Sequence, residues 1–244
     1  MSVSPLPLIL LPGLGANARM FREQKKVFPQ LIVPDWIPPR AQETMAQYAH
    51  RFIDIINPGT PFYLGGASFG GIIAYEMAQH VRPQALFLFA SGRSHHHMVG
   101  WLKKVRSIAH LTHIIPWNAA NLVSEVSLML AGDVMPFSMY ALLRHLHHKE
   151  TPFMKWGLHA ILRWKPSQYS HTFPIHHLHG ERDPFFPSKK SGACHIIPGA
   201  GHLLTKTHHE EVNRFIASRM ESEPSCSSVA LQDSNADDSD HRRE

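Results

Sequence analysis

The stretch Tyr63-Leu64-Gly65-Gly66-Ala67-Ser68-Phe69-Gly70-Gly71-Ile72 decides the fold. An apolar run at 62–64 leads into small residues around Ser68, and an amphipathic pattern over 71–81 follows. The pattern G-x-S-x-G therefore stands between a strand and a helix. A serine at so tight a turn takes a strained backbone that crowds the residues two before and two after it, which gives glycine at 66 and 70 a mechanical reason. The same turn exposes Ser68 Oγ and aims the positive end of the helix, with the Phe69 N–H, at an incoming oxyanion. Ser68 is the candidate nucleophile and Phe69 a candidate oxyanion donor. The bland alternative is a glycine-rich turn with an incidental serine.

Further apolar runs lie outward from this turn at residues 6–11, 31–33, 85–89, 175–178 and 194–197. Most are continuous and closed by Pro, Gly or Asp, as expected of strands buried on both faces of a parallel sheet. Helical patterns alternate with them. Residues 44–56 place Met45, Tyr48, Phe52 and Ile55 or Ile56 on one stripe. The repetition predicts an α/β fold, a mostly parallel sheet flanked by helices. Between 94 and 165 no strand is evident, and helical patterns broken by Pro116, Pro136 and Pro152 predict an inserted helical cap. Residues 1–93 and 166–220 are then the core, and 221–244 a disordered acidic tail.

The 244 residues suit one core, and 43% apolar with 18% charged residues is a globular composition. No apolar run is long enough to cross a bilayer, and no basic segment precedes the first one. A cytoplasmic protein is expected. Cys194 and Cys226 are the two cysteines, so neither a disulfide framework nor a cysteine metal site is available. The last 24 residues hold seven acids against Arg242 and Arg243, so the net charge of +5 becomes +10 for the rest. That charge attracts polyanions, yet no nucleic-acid recognition motif accompanies it, and no nucleic-acid partner is expected.

Three landmarks in order make the chain resemble the α/β-hydrolase superfamily over roughly residues 6–218. The first is the serine turn. The second, His179-Gly180-Glu181-Arg182-Asp183-Pro184-Phe185-Phe186-Pro187, is similar to the family's acid-bearing loop, and the third, Pro198-Gly199-Ala200-Gly201-His202, to the loop that delivers its histidine. The resemblance implies catalytic Ser68, Asp183 and His202, in the family's chain order. Asp183 before Pro184 could also be no more than a turn residue. Leu8-Ile9-Leu10-Leu11-Pro12-Gly13-Leu14-Gly15 is similar to the oxyanion loop, with the Leu14 N–H as second donor and Pro12 where many relatives have His. Ser68 needs His202 as its base, and Asp183 fixes the imidazole and stabilises its cation.

The implied activity is hydrolysis of an ester or thioester of a small or medium acyl substrate through an acyl-enzyme, without cofactor or metal. Carbon–carbon hydrolysis, a lyase, acyl transfer and a non-turnover ligand receptor use the same landmarks and stay open. Haloalkane dehalogenase and epoxide hydrolase are disfavoured, because those relatives carry Asp where this chain has Ser68. Residues 93–165 hold nine Lys or Arg against three acids, among Trp101, Trp117, Phe153, Trp156 and Trp164. A basic rim over an apolar pocket suits a coenzyme A or carrier-linked thioester; the simpler alternative is a cap with its own aromatic core. Histidine clusters at 95–97, 145–148, 176–179 and 208–209 invite a metal reading, but consecutive histidines diverge and acids are scarce, so no metal site is expected.

Overall fold

The computed structural model describes residues 5–97, 152–167, 172–193 and 195–221. Six strands, β1 (Leu8–Leu11), β2 (Leu31–Ile32), β3 (Tyr63–Ala67), β4 (Leu86–Phe89), β5 (Ile175–Gly180) and β6 (His195–Ile197), form one sheet in the order β2-β1-β3-β4-β5-β6. Every pairing is parallel, with Leu8 opposite Tyr63, Leu64 opposite Leu86 and Leu86 opposite Ile175. The expected α/β architecture is therefore present. β3 runs three residues further than its apolar run, because Gly65 and Gly66 continue the ladder beside Leu10 and Leu11.

Continuous apolar strands arise because successive side chains enter different cores. Ile9, Leu11, Leu64, Leu86 and Leu88 join α2 (Met45–Ile56) and α3 (Phe69–Met77) on one face. Leu8, Leu10, Phe87 and Phe89 meet Phe21, Val212, Phe215 and Ile216 on the other, beneath α1 (Arg22–Val27) and α7 (His209–Glu221). Helices α4 (Pro152–Arg163), α5 (Ser188–Ser191) and α6 (Leu204–Thr207), with short 3-10 turns at Ala18–Phe21 and His95–His97, complete the described elements.

Thr44 caps α2, accepting from the Gln47 N–H while the Gln47 side chain takes the Thr44 N–H, a reciprocal capping box. The buried stripe of α2 is Met45, Tyr48, Ala49, Phe52 and Ile53, and Ile55 is 60% exposed. Ile53 joins Phe52 on the core side and Ile56 packs against the same core one turn on, so of the two residues read for the end of the stripe it is Ile56 that faces the core. α3 begins at Phe69, before the predicted 71, and every residue in it is buried.

From central β1 the chain first adds β2 on one side and then returns to lay β3 on the other. That reversal opens a crevice beyond the carboxyl ends of β1 and β3, where residues 12–15 and Ser68 lie. Most of the segment read as a cap, 98–151, and the tail beyond Glu221 lie outside the described residues; α4 falls within the cap segment. Among the described residues no helix is long and apolar enough to cross a membrane.

Candidate active site

Ser68 ends β3 with φ 53 and ψ −120, a backbone region that residues with a side chain avoid at a cost of about 1–3 kcal/mol. Four contacts hold the Ser68 backbone there, one of them the Ile72 N–H on its carbonyl at 3.2 Å. Its N–H donates to the Phe89 carbonyl at 2.9 Å, and its carbonyl accepts from the Gly71 N–H at 3.0 Å and the Ser91 hydroxyl at 2.8 Å. A methyl at Gly66 would stand 2.7 Å from the Gly71 nitrogen, and one at Gly70 would run into the Leu11 and Pro12 carbonyls. Glycine at both positions lets α3 start directly against β1 and β3.

The sheet then brings two distant loops to Ser68. β5 ends at Gly180, where a methyl would lie 2.5 Å from the Gly201 carbonyl oxygen, so the loops carrying Asp183 and His202 pack backbone to backbone. His202 Nε2 lies 2.9 Å from Ser68 Oγ, and His202 Nδ1 lies 2.8 Å from Asp183 Oδ2. Asp183 Oδ1 accepts from the Phe185 and Phe186 N–H groups at 2.8 and 3.1 Å. The turn-forming reading of Asp183 and the histidine-orienting one thus use different oxygens of the same side chain. Burial alone would raise the Asp183 carboxyl, but the His202 and His179 imidazoles beside it hold it well below the usual carboxylate range. It is an anion throughout the neutral range. Phe185 and Phe186 flank the His202 ring at 4.9 and 6.1 Å between centroids.

Leu14 follows β1 and Phe69 follows Ser68, one on each side of the crevice. Among the described residues neither backbone N–H has a hydrogen-bond acceptor. An oxyanion requires backbone donors that are free of other partners.

Other groups at the site are not evident from sequence. Trp36, Tyr48, Phe69, Phe153 and Trp156 form a continuous aromatic wall, with Trp36 stacked on Phe153 at 5.1 Å and Tyr48 beside Trp156 at 4.4 Å. α4 is seated on this wall: Trp156 Nε1 donates to the Glu43 carbonyl at 2.8 Å, and Gly157 leaves room for the Leu14 side chain. Beyond α4, the buried Glu76 of α3 accepts from Trp164 Nε1 at 2.6 Å and from Ser167 Oγ at 2.8 Å. Phe153 and Trp156 belong to the aromatic set noted in the sequence, but they contact the core and not only one another.

The β5 histidines divide by strand alternation. His176 faces Phe87 and Phe215 at 5.3 and 6.4 Å, and burial with nearby Arg219 pushes it down to about 4. His177 and His179 share the other face, His179 against Asp183, and their two-residue spacing on a strand, with His179 four residues before the acid, marks that shared face in the sequence. Among the described residues no group of three or more His, Cys, Asp or Glu is placed to hold a metal ion.

Residues 8–215 match the family model described as the alpha/beta hydrolase family. No curated protein matches the sequence. Among solved structures, a thermophilic esterase from Thermogutta terrifontis is similar with a TM-score of 0.64 and 20% identity, over 88% of this chain and 89% of that one. A Bacillus megaterium epoxide hydrolase aligns at 0.63 with 12% identity over 90% and 94% of the two chains. The type II thioesterase BorB from the borrelidin biosynthetic cluster aligns at 0.59 with 17% identity over 89% and 93%. At these identities the likeness is one of fold.

Proposed function

The chain belongs to the alpha/beta hydrolase family over residues 8–215, and from that premise we propose that it is a serine hydrolase cleaving an ester or thioester of a small or medium acyl substrate. The observation that carries the reading is the relay Ser68 Oγ, His202 Nε2, His202 Nδ1, Asp183 Oδ2, with its two links at 2.9 and 2.8 Å. The Ser68–His202 link is within the range in which a proton passes between positioned groups, and the His202–Asp183 link is a hydrogen bond that orients the ring.

Ser68 Oγ attacks the acyl carbon while His202 Nε2 takes its proton. Asp183, already ionised and held by the Phe185 and Phe186 N–H groups, stabilises the imidazolium through Nδ1–H. The Leu14 and Phe69 N–H groups receive the oxyanion. Collapse of the tetrahedral intermediate expels the alcohol or thiol, which takes the proton from His202, and leaves an acyl ester on Ser68. A water then gives its proton to His202 and attacks that ester, and Ser68 departs with the proton returned. No step calls on a metal or cofactor.

The aromatic wall between Phe69 and Trp156 supports an apolar acyl group next to the nucleophile. In this reading residues 1–93 and 166–220 form the core and 94–165 the cap over it. The basic charge of the cap segment supports a carrier- or coenzyme A-linked thioester, and the reading takes the setting to be cytoplasmic. Hydrolysis of p-nitrophenyl esters of increasing chain length, beside acyl-coenzyme A thioesters, tests the reading. Ser68→Ala is expected to lower kcat by at least about a thousandfold. A folded wild type as inert as Ser68→Ala on both series rejects esterase and thioesterase activity and favours lyase, carbon–carbon hydrolysis or ligand reception.

A further inference from the structure

We propose that His179 is a positioning residue of this site: its Nε2–H, kept in one neutral tautomer by His177 behind it, holds Oδ2 of Asp183 on the side opposite His202. The inference rests on the triad reading above and extends it by two buried residues.

The tautomers follow from which atoms face which. His179 is fully buried, and its Nε2 lies 2.5 Å from the Phe186 carbonyl oxygen and 3.2 Å from Asp183 Oδ2. Both neighbours are acceptors only, so Nε2 carries the proton. His177 Nε2 lies 2.9 Å from the Ser91 carbonyl oxygen, again an acceptor only, so that nitrogen also carries a proton. The same His177 Nε2 faces His179 Nδ1 at 3.4 Å. A second proton on His179 would set two N–H donors against each other in a dry interior. His179 Nδ1 must therefore remain a lone pair, and the ring remains neutral.

The charges around the pair agree with this. Burial, with Arg93 nearby, drives the His177 ring well below the usual histidine range. From the other side His179 faces the Asp183 anion and, beyond it, His202. Asp183 thus takes the Phe185 and Phe186 N–H groups on Oδ1 and His202 on Oδ2, and His179 Nε2, which bonds to the Phe186 carbonyl, lies a further 3.2 Å from Oδ2. His202 gains and loses a proton in each turnover, whereas His179 does not. A donor of constant charge keeps the carboxylate aimed while its other partner changes charge.

The chain of contacts closes on the nucleophile. The Ser91 carbonyl accepts from His177, and the Ser91 hydroxyl donates to the Ser68 carbonyl at 2.8 Å. Ser68, His202, Asp183, His179, His177 and Ser91 form a ring, so the loop that fixes the histidine pair also fixes the serine turn.

The test is a pH titration of ring-15N-labelled histidines by NMR in the full chain, with the His202 signals assigned by their loss in His202→Gln. In the wild type His179 is expected as the Nε2–H tautomer, with one ring proton, across the neutral range. His179→Phe keeps a ring and removes the donor. The carboxylate then holds the His202 imidazolium more strongly, so the His202 titration moves to higher pH, and kcat falls about tenfold with KM within about twofold. His179→Gln returns an N–H near the Nε2 position and restores both. His177→Phe removes the opposing donor, so His179 takes a second proton within the same range. The proposal is overturned if His179 in the wild type is the Nδ1–H tautomer or titrates alongside His202. It is equally overturned if folded His179→Phe matches the wild type in both the His202 titration and kcat. Should His179→Phe not fold, the wild-type tautomer and the His177→Phe titration decide by the same criteria. The NMR measurement needs no turnover, so a failure of the hydrolase reading, seen as Ser68→Ala equal to wild type, remains distinct from a failure here.

Discussion

Replacing Gly70 by alanine should cost activity far more than stability. The added methyl would stand 2.6 Å from the Leu11 carbonyl carbon, with the Leu11 and Pro12 carbonyl oxygens closer still. Carbon atoms pack at roughly 3.5 Å, so a relief of about 1 Å is needed, and both sides of the contact are backbone. Either the loop after β1 shifts, taking Leu14 with it, or the serine turn shifts, taking Ser68 and Phe69. Each movement separates the nucleophile from an oxyanion donor, and a misplacement of about 1 Å lowers a rate by about a hundredfold. Overpacking of this kind costs about 1–3 kcal/mol in stability, which a domain of this size survives. Gly59→Ala is the control: Gly59 needs a positive φ, +66, but a methyl there meets nothing within 4 Å. It should lower stability by about 1 kcal/mol and leave ester hydrolysis unchanged. The assay is kcat on the best p-nitrophenyl ester, with urea midpoints for both variants. Gly70→Ala that folds and keeps kcat within about threefold of wild type would falsify the close-approach argument.

Three further outcomes follow from the same geometry. Glu76→Leu takes away the buried carboxylate that accepts from Trp164 and Ser167, and should lower unfolding free energy by about 2 kcal/mol in urea; an unchanged midpoint would show that the anchor after α4 carries no stability. His176 is held at about 4, against 6.5 for a free ring, so the folded chain binds its proton more weakly than the unfolded one. Its neutral form therefore contributes fully above about pH 6.5, and up to about 3 kcal/mol is lost as the pH falls toward 4. His176→Phe should flatten that part of the urea-midpoint profile, and an undiminished slope between pH 7 and 4.5 would count against it. Trp156→Ala opens the aromatic wall beside Phe69 and should move the optimum of the ester series to longer acyl chains; an optimum that stays put means the acyl group lies elsewhere.

The parts of the fold read from sequence are those in which local sterics or burial leave little choice. Gly66 and Gly70 stand where any Cβ would meet backbone, so the turn imprints itself on the sequence. The runs of β1 and β4 are legible because both faces of the sheet are covered there, which removes polar residues from them. The end of the α2 stripe is less so, since Ile53, Ile55 and Ile56 are equally apolar and only packing against the sheet buries Ile53. The aromatic wall is invisible for a different reason. Trp156 bonds to Glu43 across 113 residues and Phe153 stacks on Trp36, and no local pattern encodes such a pairing. His179 falls between these cases. It is one of twenty histidines, and only the assignment of β5 as a strand turns its spacing from His177 and Asp183 into a shared face.

The strain at Ser68 and the reach of the site have one structural origin. A serine with φ 53 is unfavourable by about 1–3 kcal/mol on its own, yet it is the conformation that turns Oγ toward His202. What offsets it is the bond from the Ser68 N–H to Phe89, the Ser91 hydroxyl on the Ser68 carbonyl, and the close seat of α3 that Gly66 and Gly70 permit. These groups come from β1, β3 and the end of β4, which meet where the sheet order reverses. β5 supplies His177 and His179, and the loop after it supplies Asp183. Holding the turn and aligning the relay are therefore tasks of the same contacts. Loss of the Ser91 hydroxyl should be felt at both ends, as a less stable turn and as a less well-placed His177.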